Sequence, residues 1–84
     1  MVMVDSSPRD VWLFTRGRDS VRVEVMALAR GVRLVVKGPG SKRESYDFDD
    51  MRELARQQET VEEQLAARGF ALERFVTERR RWPR

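Results

Sequence analysis

Eighty-four residues hold one domain around one core, and a chain this short buries only about 60–65% of the surface its unfolded form exposes. Cysteine and histidine are both absent, which excludes disulfides, thiolate and imidazole metal ligands, and every Ser-His or Cys-His catalytic pair. The net charge of +3 comes from 17 Lys and Arg against 14 Asp and Glu, an excess too small to mark a nucleic-acid binder by itself.

No apolar run approaches the roughly 20 residues that span a bilayer. The opening Met1-Val2-Met3-Val4-Asp5-Ser6-Ser7-Pro8 lacks the basic-then-apolar order of a secretory signal. A cytoplasmic chain without membrane contact is expected. Without His or Cys, catalysis would fall to carboxylate, Lys or Tyr chemistry, so a protein that is not an enzyme and holds no cofactor is expected.

In chain order, residues 1–9 read as a flexible leader. Val11-Trp12-Leu13-Phe14 is a strand apolar on both faces, the pattern of a strand with neighbours on either side and cover on both faces. Arg16-Gly17-Arg18-Asp19 supplies a turn. A second strand over about 20–28 sets Val21, Val23 and Val25 against Arg22, Glu24 and Met26, because successive side chains point to opposite faces. After a reversal at Arg30-Gly31, a third strand over about 32–37 buries Val32, Leu34 and Val36 and exposes Arg33, Val35 and Lys37. Gly38-Pro39-Gly40-Ser41 turns the chain into a fourth strand over about 43–48, which buries Tyr46 and Phe48.

At Asp49 the apolar period changes from two to nearly 3.6. Met51, Leu54, Gln58, Val61 and Leu65 then make one stripe on a helix over about 50–68. Asp50 stands at the N-cap with Glu53 three residues on, and Gly69 stands at C′ with Phe70 and Leu65 spaced to touch in a Schellman motif. Residues 70–76 fit a strand or a helix by period. Topology favours a strand beside the first, since that gives the doubly apolar Val11–Phe14 a second neighbour. The expected fold is α+β: an antiparallel β-meander of four to five strands in the order 5-1-2-3-4, with one amphipathic helix packed on one face. The domain spans 10–76, and 77–84, with Arg79-Arg80-Arg81-Trp82-Pro83-Arg84, reads as a basic tail.

Three constellations bear on function. The sheet face opposite the helix carries Arg22, Glu24, Met26, Arg33, Val35, Lys37 and Arg43, together with either Trp12 and Phe14 or Val11 and Leu13. Residues 1–48 hold nine cations and six anions, 49–69 three and six, and 70–84 five and two, so the sheet is basic and the helix acidic. The expected function is that of a non-enzymatic interaction domain that docks a protein partner or a second copy of itself through this open face, with Trp12, Met26 and Val35 as its apolar patch. The alternative is single-stranded nucleic acid, with Arg22, Arg33, Lys37, Lys42 and Arg43 on phosphates and Trp12 stacking on bases. An outside reading is a metal-assisted enzyme built on Asp47, Asp49, Asp50 and Glu53. That group lacks the spacing of a calcium loop, and capping alone accounts for acids at a helix start, so no metal site is expected. Gly38-Pro39-Gly40-Ser41-Lys42 lacks the spacing of a phosphate loop and precedes a strand, so it reads as a hairpin.

Overall fold

The period-two segments become strands and the 3.6-period segment becomes a helix. The computed structural model describes residues 9–77, so the leader and the basic tail lie almost wholly outside the described residues. The elements are β1 (Asp10–Arg16), β2 (Asp19–Ala27), β3 (Val32–Lys37), β4 (Arg43–Phe48), α1 (Met51–Ala67) and β5 (Ala71–Thr77). All pairings are antiparallel and the order is β4-β3-β2-β1-β5, which gives β1 its two expected neighbours; the cover expected on both its faces is present on the Trp12–Phe14 side only among the described residues.

The helix begins where the sequence places it. The Asp50 carboxylate accepts from the N–H groups of Arg52 and Glu53 at 2.9 and 3.1 Å, satisfying two donors that have no partner inside the helix. It ends in a full Schellman motif: the Phe70 N–H donates to the Leu65 carbonyl at 2.9 Å and the Gly69 N–H to that of Ala66 at 3.0 Å. Arg16, the last residue of β1, fastens this end to the sheet. Its guanidinium donates to the Arg68 carbonyl at 2.8 Å, lies 4.7 Å from the Phe70 ring centre, and pairs with Asp19 at 3.0 Å.

Leu54, Val61 and Leu65 point from α1 into a core made with Phe14, Val21, Val23, Val25, Val32, Leu34, Val36 and Phe70. Two core expectations need correction. Met51 is 49% exposed although it falls in the helical stripe, because it lies in the first turn, at the margin of the contact. Tyr46 and Phe48 are half-buried, because β4 is an edge strand and its side chains have neighbours on one side only.

The helix lies over β3 and β4. The opposite end of the same sheet face is therefore thinly covered: Leu72 is 53% and Phe75 44% exposed on β5. Gly31, in the connection from β2 to β3, has φ +90°, and a Cβ there would strike the Phe48 carbonyl oxygen. Only glycine meets both demands.

Candidate interaction surface

The strand register sorts every side chain on the sheet. On the helix side, Trp12 stands opposite Val23 on β2 and Phe75 on β5, with the Trp12 and Phe75 rings 4.9 Å apart and tilted by 31°. On the other face, Arg74, Leu13, Arg22, Lys37 and Arg43 stand directly opposite one another in sequence across all five strands. The row beside it runs Val76, Val11, Glu24, Val35 and Ser45, and the next holds Met26, Arg33 and Asp47. Among the described residues no element packs on this face.

Of the residues singled out from sequence, Arg22, Lys37 and Arg43 are thus brought together. Facing residues in an antiparallel ladder are about 4.5–5.5 Å apart at Cα, so the three are immediate neighbours. Arg33 is on the same face but is spoken for: its Nε and Nη2 donate to the two Asp47 oxygens at 2.7 and 3.0 Å. That hydrogen bonding raises the Arg33 pKa and holds the Asp47 carboxyl below its ordinary value. Lys42 belongs elsewhere. It lines a separate pocket of about 130 Å³ between the β3–β4 turn and the C-terminal half of α1. Trp12 is on the wrong side of the sheet to stack on anything the cations hold. The register places Val11 and Leu13 on the cationic face in its stead.

Two further expectations are overturned on this face. Glu24 and Val35 were expected to be exposed, and they are 4% and 0% exposed. Glu24 is drawn in between cations, its carboxylate 3.3 Å from Lys37 Nζ and 3.7 Å from Arg22 Nη1. Val35 occupies the middle of the sheet between Arg33 and Lys37, side chains longer than its own, and faces Glu24 and Ser45 across the ladder.

Around the buried carboxylate the face opens into a shallow trough of about 590 Å³, with Val11, Met26 and Val76 on its apolar side and Arg22, Lys37 and Arg43 on its basic side. A second depression of about 520 Å³ continues it past Leu13 and Arg18 toward the β3–β4 turn. Sequence reasoning missed Arg74 and Val76 here, and left open whether Val11 with Leu13 or Trp12 with Phe14 lies on this face. The only signal for them was the parity of β5 relative to β1, and a register shift at Leu13/Phe14 blurs it.

The acidic group at the helix start is not assembled into a cation site. Asp47 is bound to Arg33 and Asp50 to backbone N–H groups, and among the described residues no three acids converge as metal ligands would. On the helix side, the Tyr46 hydroxyl donates to Glu44 at 2.8 Å, which raises the tyrosine pKa. No helix of the described residues is long and apolar enough to cross a membrane. No protein family, curated protein or solved structure matches this chain.

Proposed function

We propose that this protein is a non-catalytic interaction domain that docks a protein partner through the open face of its sheet. The carrying observation is the trough, in which an apolar strip of Val11, Met26 and Val76 lies directly against a line of cations. Apolar contact area bordered by charged groups, with Arg prominent among them, is the composition of protein interfaces. The absence of His and Cys and the engagement of Asp47 and Asp50 near the helix start support a binding role over a chemical one.

Single-stranded nucleic acid is supported less well. Base stacking needs an exposed ring beside the cations, and the open face of the described residues holds none. Trp12 and Phe75 both lie on the other side.

The test is affinity purification from the native cell with the full chain and two variants, Met26→Glu in the trough and Met51→Glu at the exposed helix start. Proteins retained by the wild type and by Met51→Glu but lost by Met26→Glu are the expected result. Sedimentation of the same three proteins reports whether the partner is a second copy. Equal retention by both variants, each folded by circular dichroism, refutes docking at this face.

A further inference from the structure

The five-strand row places like charges face to face. Arg22, Lys37 and Arg43 are directly opposed across β2, β3 and β4, and Arg74 lies beyond Leu13 on β5. Opposed like charges destabilise a ladder. Among the described residues Glu24 is the one carboxylate within ion-pair reach of the row, and it touches only two of the four cations. The neighbouring cation Arg33, by contrast, has an acid of its own. The fold thus neutralises one cation of this face completely and leaves a line of four with a single shared counter-charge.

We infer, resting on the docking role proposed above, that the partner is an acidic segment of another protein, laid across the strands with its carboxylates along this row and its apolar side chains on Val11 and Val76. Charge complementarity selects the acid. The adjoining row selects a peptide over a phosphodiester chain, because it offers aliphatic side chains and no ring. Neighbouring strands are about 4.8 Å apart, so the row is about 19 Å from β5 to β4. A helical segment presents carboxylates at i, i+3 and i+4 with a similar spacing of about 5–6 Å, and about 13 residues of helix cover the length. A second copy is disfavoured as the occupant. Its own acidic helix on this face would make a head-to-tail contact, which builds rings or open filaments in place of the self-complementary two-fold dimer that is by far the commonest assembly.

The probe is a labelled 16-residue helical peptide with Glu at every third or fourth position and Leu beside them. Its binding to the full chain is followed by fluorescence anisotropy, with a 20-nucleotide oligothymidine as the competing class. The expected result is that affinity falls about tenfold for the Lys37→Gln/Arg43→Gln double variant. It changes less than twofold for Arg52→Gln/Arg56→Gln, which removes the same charge from the helix. Added salt weakens the wild-type complex in parallel. Three results overturn the inference: no peptide binding, equal loss in both double variants, or oligothymidine bound more tightly than peptide through the same row. If the peptide fails while cellular partners remain sensitive to Met26→Glu, the acidic class is wrong and the docking face stands. If that sensitivity is also missing, both readings fall.

Discussion

Exchanging Glu24 for Gln keeps the shape of the side chain and removes the charge that two cations share. Lys37 Nζ stands 3.3 Å from one oxygen and Arg22 Nη1 3.7 Å from the other. With an effective dielectric constant of 20, the bare attraction at this range is about 4–5 kcal/mol per pair. Both cations are substantially wet, however, with Lys37 40% and Arg22 54% exposed at the side chain. Water then reduces each pair to about 1 kcal/mol, the upper end for solvent-facing pairs. Losing both costs about 2 kcal/mol. Relief from burying a carboxylate returns part of it, so Glu24→Gln is expected to destabilise by about 1–2 kcal/mol, a fall in Tm of about 5–15 °C for a domain of this size.

Salt identifies the mechanism. Raising ionic strength from 0.1 to 1 M shortens the screening length from about 10 to about 3 Å. The repulsion left among Arg22, Lys37 and Arg43 in the variant then relaxes, and its deficit shrinks by half or more. Urea denaturation followed by circular dichroism at the two salt concentrations measures this. A deficit that is equal or larger at 1 M refutes the electrostatic reasoning and points to packing.

Three further outcomes follow from the geometry. Leu54 is 0% exposed and is the deepest contact of α1, so Leu54→Ala should cost about 3–4 kcal/mol in urea denaturation; a cost under about 1 kcal/mol would mean the helix is not seated as described. Gly31→Ala combines a left-handed backbone with a collision at the Phe48 carbonyl and should cost more than about 2 kcal/mol, read as a lowered Tm. The Asp47 carboxyl titrates lower folded than unfolded, so the stability it confers is present above pH 4 and is lost as pH falls through the lowered folded value. The advantage of the wild type over Asp47→Asn should therefore vanish in acid, and a gap that persists at pH 2 in urea midpoints sinks the assignment.

The helix and the strand order were legible because each rests on local or nearly local rules. Asp50, Gly69 and Phe70 mark the ends of α1 through backbone groups that must find partners close by. The two apolar faces of Val11–Phe14 demanded a second neighbour, and β5 supplies it. The open face was harder to read, for reasons of register. Both faces of β1 are apolar, so nothing local decides whether Trp12 or Val11 meets the helix. The Arg33–Asp47 pair joins residues 14 apart, and only strand pairing shows that this cation is already neutralised. Glu24 looks like an ordinary outward charge until Arg22 and Lys37 are seen on either side of it. Period reveals faces, and register reveals neighbours.

The place of β5 also bears on how the protein is made. β1 sits between β2 and β5, yet Asp10 and Thr77, whose side chains hydrogen-bond across that last ladder, are 67 residues apart. β5 ends at Thr77 and β2 at Ala27, so at about 5–20 residues per second a ribosome delivers the second neighbour about 2.5–10 seconds after the first. Throughout that interval the nascent meander holds β1 as a bare border strand, with Val11 and Leu13 on one side and Trp12 on the other. Such a border is a template for pairing with any passing chain. Synthesis of this small domain thus passes through a sticky adolescence that ends only when its closing segment arrives.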